Sequence, residues 1–320
     1  MSMMLLYSDR AIFIHGFHYR IGSVQRNLEQ LKADKRLLGT IEALNKIGYR
    51  HNFSLRNDES LLSLARHPLS QVLQRAPEPR ALVFQHSVAE SAVLAYDVNE
   101  TNIALRTRYF AAEVMRELQL DHVPYLCSFA SGCAGFMSLL ITAGGLLSTS
   151  LGDEPAICVI ADSNPAGVPY DMMEERILGS DHGSAFVVDH EQSGYQLLGI
   201  NYYSTTRTKV PFIEIVKRTV QMVEELARRL QLELTTSDVA IHYPNIFPDA
   251  WKMVTRYLQL PHVQHIMDGM PDRAHCGATD SVISLGKLHS NASGRVHVVV
   301  NYGVGLHLGV CFLKEQDADS

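Results

Sequence analysis

The chain has 320 residues, 46% hydrophobic and 19% charged, a balance that excludes a disordered tract, a collagen-like repeat and a disulfide-stapled mini-domain and fits one large or two ordinary globular domains. Lys and Arg number 28 against 34 Asp and Glu, a formal net charge of −6, so nothing in the charge invites nucleic acid or an anionic membrane as partner. The five cysteines, at 127, 133, 158, 276 and 311, are too irregular for a disulfide framework and form no CxxC pair for zinc.

The N-terminal residues hold only a short apolar stretch, 3–7, before Asp9 and Arg10, which reads as no signal peptide and points to a cytoplasmic protein. AIFIHGF (11–17) reads as a strand closed by Gly16, and the periodic segments 36–46 and 59–73 read as helices. A strand follows at ALVFQH (81–86), then a helix over 104–118 leading into the strand VPYLCSF. The apolar stretch 133–147, which contains Gly135, Gly144 and Gly145, reads as a buried helix, since it falls short of the roughly 20 residues a membrane span needs. Strands AICVIAD (156–162) and SAFVVD (184–189) come next.

After His190 the pattern restarts. The strand YQLLGINYYS precedes a long amphipathic helix over 211–230, for which Pro211 is a good first residue. The strand DVAIHY (238–243), a helix over 248–258, a loop over 268–279, a helix over 280–288 and the paired strands VHVVVNY and LHLGVCFL complete the chain. Alternating helices and strands predict an α/β fold, in two halves of similar element order, 1–190 and 191–320, with no repeat visible at the level of residues.

The strongest local feature is YLCSFASGCAGFMSLL, in which an apolar strand ends in small residues, Cys133 follows, and a helix begins. A helix N-terminus favours the thiolate, the nucleophilic form of cysteine, while a free cysteine is equally at home as a small buried hydrophobe. A thiolate nucleophile needs a proton relay. His242, at the end of an apolar strand, and His275, in the loop RAHCGATD, are candidates, each also readable as a hydrogen-bonded structural histidine. NYGVGLHLG (301–309) is a glycine turn where backbone N–H groups can face a ligand oxygen, or a plain hairpin. No histidine pair sits at metal-ligand spacing, so no metal is expected.

These segments, taken in order, resemble the thiolase-fold condensing enzymes, and most closely the β-ketoacyl-(acyl-carrier-protein) synthase III group. KIGYRH (46–51), SGCAGFMSLL, GSDHGSAFVV (179–188), HYPN (242–245), HCGATDSVISL (275–285) and NYGVGLHLG are similar to that family's Gly-x-Arg segment, nucleophile motif, Gly-Asp-Gly-Ala strand entry, His-x-x-Asn, third-residue loop and terminal glycine turn. The resemblance covers nearly the whole chain. It implies a thiolase-like fold, two βαβαβαββ halves in five αβαβα layers, the first carrying the nucleophilic cysteine and the second the histidines.

It further implies that Cys133 takes an acyl group as a thioester, with His242 as partner and His275 as third residue, Asp280 being the rival for that third place. The backbone N–H groups of Cys133 and Val304 would form the oxyanion hole. Asn245, Gly303, Gly305, Lys46 and Arg50 would meet a pantetheine arm. The family's coenzyme A-stacking tryptophan and its arginine correspond here to Glu42 and Lys46, which moves the expectation toward a carrier-protein donor. No cofactor is held permanently, since substrates arrive on phosphopantetheine, of acyl carrier protein or coenzyme A. The resemblance also implies a homodimer, or a heteromer with a related subunit. Two histidines favour decarboxylative condensation with a malonyl-type thioester in a specialised lipid or secondary-metabolite pathway. The alternatives are transfer of the Cys133-bound acyl group to an alcohol or amine, and a non-catalytic partner subunit.

Overall fold

A computed structural model of the chain describes residues 2–7, 10–128, 131–149, 153–172, 176–207, 210–235, 237–260, 262–287, 294–303 and 307–316. Its main strands are β1 (Ile12–Ile21), β2 (Ala81–Gln85), β3 (Tyr125–Ser128), β4 (Ala156–Asp162), β5 (His182–Asp189), β6 (Tyr195–Ser204), β7 (Val239–His242), β8 (Val263–Ile266), β9 (Val296–Gly303) and β10 (His307–Glu315). The helices between them are α1 (Leu61–Leu73), α2 (Phe110–Glu117), α3 (Gly135–Thr149), α4 (Phe212–Leu230), α5 (Pro248–Leu258) and α6 (Thr279–Lys287).

In space the strands run β8-β7-β9-β10-β6-β1-β5-β4-β2-β3. Counted within each half, both sets of five follow the order third, second, fourth, fifth, first. The second strand pairs parallel with the third and fourth, while the fourth pairs antiparallel with the fifth and the fifth antiparallel with the first. The same strand order and pairing therefore occur twice, once over 12–189 and once over 195–315. The half-sheets are also joined, because β6 pairs with β1 through Tyr195 opposite Ile14, Gln196 opposite Phe13 and Leu197 opposite Ile12.

The layers follow from alternation along buried strands, whose two faces are both covered and which therefore read as continuous apolar runs. Val83, Cys158 and Ile160 point inward with Val299 and Cys311 onto Phe136, Leu140 and Ala143 of α3 and Val282 and Leu285 of α6. Their neighbours Leu82, Phe84, Ile157 and Val159 point outward onto α1 and α2. Val298, Val300 and Phe312 point outward onto α4 and α5. Each fully buried Leu, Ile, Val or Phe contributes about 1.5–3 kcal/mol, so the central α3/α6 layer is held on both sides. The 132–149 segment passes a length and composition test for a membrane span, but here it is this central layer.

Four expectations need correction. Gly16 does not end β1: at φ +64 it sits with Phe17 opposite Phe186 in a β-bulge, and the strand continues to Ile21. The helix expected over 36–46 is a shorter one, Ile41–Ile47, capped by the Thr40 side chain. The 104–118 segment divides into a strand, Thr107–Tyr109, paired with Val93–Tyr96, and then α2. The loop 268–279 contains a helical turn, Met270–Arg273.

Candidate active site

The turn that carries Cys133 is packed from three sides. Gly132 takes φ +52, in the left-handed region where a Cβ is costly, and Cys133 follows in a single turn, Gly132–Ala134, that runs into α3. Gln85, the last residue of β2, donates from Nε2 to Gly132 O at 3.2 Å, and Ser138 Oγ donates to Ser131 Oγ at 2.7 Å. From the other half, Gly303 at the end of β9 comes so close that a Cβ there would lie 2.2 Å from Ser131 O. Cys133 is half-buried, whereas Cys158, Cys276 and Cys311 are buried. Burial pushes the Cys276 thiol up to about 12 and those of Cys158 and Cys311 further still. Cys127, exposed on β3, is also raised by partial burial.

His275 is fixed by its backbone before its side chain is considered. Its N–H donates to Leu178 O at 2.9 Å and its carbonyl accepts from Ser180 N at 2.9 Å. The preceding Ala274, at φ +54, is a strained non-glycine residue that aims the turn inward. His275 Nδ1 lies 2.6 Å from Asp280 Oδ2, in the first turn of α6. Asp280 also accepts from Arg273 Nη1, from Asn245 N at 2.9 Å and from Cys276 N at 3.2 Å, which fills its lone pairs.

The charges follow. Burial would raise the Asp280 carboxyl, but Arg273 and His275 outweigh it and hold it well below the usual carboxylate range. Burial would likewise discharge His275, but Cys133 and then Asp280 outweigh it and push the imidazole up to about 10. His275 Nε2 is buried, with no hydrogen bond of normal geometry to a described group, and the Cys133 sulfur acts on the ring. Cys133, His275 and Asp280 thus form one cluster, a half-buried thiol, a buried imidazole and a buried carboxylate.

His242 makes its hydrogen bonds elsewhere. Its Nδ1 lies 2.6 Å from Ser284 Oγ and its Nε2 2.8 Å from His297 Nδ1, and His297 Nε2 lies 3.0 Å from Glu315. Burial, then His297 and Arg295, holds it well below the usual histidine range, so it is a neutral link in a buried polar chain. Its place explains this. His242 is the last residue of β7 as Gln85 is of β2, and each points at the third helix of its own half.

The other expected residues are scattered. Asn245 is buried, and its Nδ2 donates to Asp268 O and Ala274 O, both at 3.0 Å. It thus pins the His275 turn rather than facing a cleft. Arg50 is exposed, its N–H donating to Pro271 O at 3.3 Å. Lys46 is exposed and lines a cleft of about 460 Å³ with Arg176, Phe212, Phe247 and Lys252. Phe247 packs edge-on against Tyr302, next to Gly303, with ring centroids 5.8 Å apart. Val304 and Gly305, expected at the oxyanion hole and pantetheine arm, lie outside the described residues.

His182 is the residue the sequence reading missed. It is 3% exposed at the start of β5, and its Nδ1 lies 3.0 Å from Thr279 Oγ1. The available signal was Asp181-His182-Gly183-Ser184, a histidine between a carboxylate and small residues at the entry to an apolar strand.

Among solved structures, several share the fold. The acyltransferase ChlB3 is 16% identical at TM-score 0.74, covering 96% of this chain and 98% of its own. The 3-oxoacyl-(acyl-carrier-protein) synthase III of Aquifex aeolicus VF5 is 14% identical at TM-score 0.72, over 95% and 99%. That of Pseudomonas aeruginosa PAO1 is 18% identical at 0.72, over 97% and 100%. The chain has the synthase III fold. Identities this low carry the fold and no further. No family model matches the sequence, and no curated protein is detectably similar to it. Within the fold, Cys133 and Asp280 head the two helices of the central layer.

Proposed function

We propose that the chain is an acyltransferase of synthase III type, which takes an acyl group from a phosphopantetheine thioester onto Cys133 and passes it to a hydroxyl or amine. The single observation that carries this reading is the set Cys133–His275–Asp280, one imidazole between a thiol and a carboxylate. An imidazolium beside the sulfur stabilises the thiolate. The thiolate attacks the donor carbonyl, the carbon–sulfur bond to the pantetheine arm breaks, and His275 gives its Nε2 proton to the departing thiol. Neutral His275 then takes the proton of the incoming hydroxyl or amine, which attacks the acyl-Cys133 thioester. Cys133 leaves as thiolate and the ion pair is restored.

Decarboxylative condensation is the second reading. The neighbours titled synthase III, and AbyA1, titled a tetronic acid condensing enzyme, favour it. The engagement of His242 with Ser284 and His297 weighs against the two-histidine version of it. Donor delivery through the cleft at Lys46, Arg176 and Lys252 is supported by three cations that suit the phosphate of a pantetheine arm or an acidic carrier protein. A homodimer through β3 is supported by that strand's place at the end of the sheet and by exposed Tyr125 and Leu126, an unpaired apolar edge that a second copy would cover.

Intact-protein mass measurement after incubation with acyl thioesters of coenzyme A and of carrier protein tests the reading. An adduct on the wild type, lost in Cys133→Ala and discharged by an alcohol or amine, supports acyl transfer. Discharge by a malonyl thioester with release of carbon dioxide would move the assignment to condensation, and no adduct from any donor to the non-catalytic partner subunit.

A further inference from the structure

Beneath the turn that links His275 to Asp280 lies a second imidazole. His182 Nδ1 is 3.0 Å from Thr279 Oγ1, and Thr279 Oγ1 is 2.8 Å from Ser184 Oγ. Thr279 is the first residue of α6 and the neighbour of Asp280. On its other nitrogen the ring touches the backbone of the same turn: Gly277 takes φ +53, and a Cβ there would lie 2.7 Å from His182 Nε2. The turn is therefore moulded on the imidazole at two points, one on each side of Ala278. Asp162 is its cross-strand neighbour on β4 and Ile21 on β1, while His275, Asp280 and Arg273 act on it electrically from the turn and α6.

We infer that His182 is a positioning residue for the proton-transfer pair: wedged under residues 275–280 and tied to Thr279, it sets the alignment of His275 and Asp280 toward Cys133. This rests on reading Cys133 as a nucleophile served by His275. The ring can act in this way because it stays neutral. Burial first, and then His275 and Arg273 against the opposing Asp280, depress its ionisation to about 3, so the only imidazolium in the cluster is His275. A carboxylate or a lysine in the same place would compete for partners that Asp280 and Arg273 already hold.

The test compares His182→Leu, close in size but unable to hydrogen-bond, with His182→Gln, which keeps a neutral hydrogen-bonding group. The substrate-independent readout is the pH profile of Cys133 alkylation by iodoacetamide, followed on the Cys133 peptide because Cys127 is also exposed. The substrate readout is the rate of acyl-adduct formation. In His182→Leu the alkylation profile is expected to move to higher pH and acylation to slow by on the order of 100-fold, the effect of a small misalignment, with KM little changed and His182→Gln close to wild type. A folded His182→Leu with the wild-type profile overturns the inference. So does an equal loss of rate in both variants with the profile unmoved, which a packing role alone would give. Should His182→Leu not fold, His182→Asn, whose shorter amide falls short of Thr279, takes its place, and a wild-type profile there overturns the inference. A wild type that accepts no acyl group, alongside a displaced profile in His182→Leu, supports the positioning role while sinking the acyl-transfer reading.

Discussion

Cys133 and Asp280 occupy equivalent places in the two halves: each heads the helix that leads from the third strand of its half to the fourth, Cys133 in the turn before α3 and Asp280 in the first turn of α6. Both sites suit an anion, because unpaired N–H groups and the positive end of the dipole gather at a helix N-terminus. His275 lies between them, hydrogen-bonded to Asp280 and electrically coupled to Cys133. An imidazole flanked by two such positions holds its proton more strongly.

Asp280→Asn should therefore disable the chemistry and weaken the fold together. The amide cannot balance His275, and by analogy with a triad carboxylate the acylation rate should fall by on the order of 10⁴-fold. Arg273, nearly buried and paired with Asp280, would be left uncompensated at a cost of about 3–5 kcal/mol. Single-turnover acylation and denaturant unfolding measure the two effects separately.

The raised His275 ionisation sets a pH dependence of stability. A group whose folded value, about 10, lies above the ordinary value of about 6.5 stabilises the fold fully below that ordinary value, and loses its contribution as pH rises through the folded one. The stability difference between wild type and His275→Gln should accordingly shrink between about pH 6.5 and 10. Unfolding titrations across that range check it. Cys133→Ala, which removes one partner, should narrow the window.

His242→Phe tests which of the two histidines serves Cys133. It strands Ser284 and His297 without their buried partner, at about 1–3 kcal/mol, and leaves Cys133–His275–Asp280 intact. A lower melting temperature with the acyl adduct retained is the expected result. A stable protein that no longer acylates would restore His242 to the site.

Two glycines should respond with opposite signs. Gly145 is exposed on α3 with nothing within 4 Å of a new Cβ, so Gly145→Ala should stabilise by about 0.5–1 kcal/mol. Gly303→Ala places a methyl 2.2 Å from Ser131 O, a backbone atom, and should cost about 1–3 kcal/mol and displace the Cys133 turn. Thermal melts and adduct formation report both.

Leu126→Lys tests the proposed dimer edge. Leu126 is 43% exposed on β3, and a lysine there should block a second copy from pairing. Sedimentation should show the wild type as a dimer and the variant as a monomer. A wild-type monomer would sink the interface.

What was legible in the sequence follows from what is local. The strand, small-residue turn and apolar helix around Cys133 are contiguous in the chain, and the β-branched runs of β4, β5, β9 and β10 declare themselves. What was not legible depends on distant partners. The N–H groups of Leu38 and Gly39 bind the Asp171 carboxylate at 2.8 and 2.7 Å, and this contact delays the helix that periodicity would start at 36. Gly16 looks like a stop until Phe186 is seen across the bulge. A histidine at a strand end carries no mark of which face it takes, and only the fold shows His242 turned to Ser284 while His275, in a loop, turns to Cys133.

The shared winding of the halves leaves the chain with a division of labour. One helix head holds the thiol and the other the carboxylate, so neither half alone carries the full set, and the proposed reaction depends on the two being held at a fixed spacing. Part of that spacing rests on the short antiparallel seam of three residue pairs between β1 and β6 and on close approaches between the halves such as those of Gly303 to Ser131 and Gly309 to Met137. The seam is in effect the gauge of the molecule: a change that lets it slip would leave two correctly folded halves with thiol and carboxylate out of step.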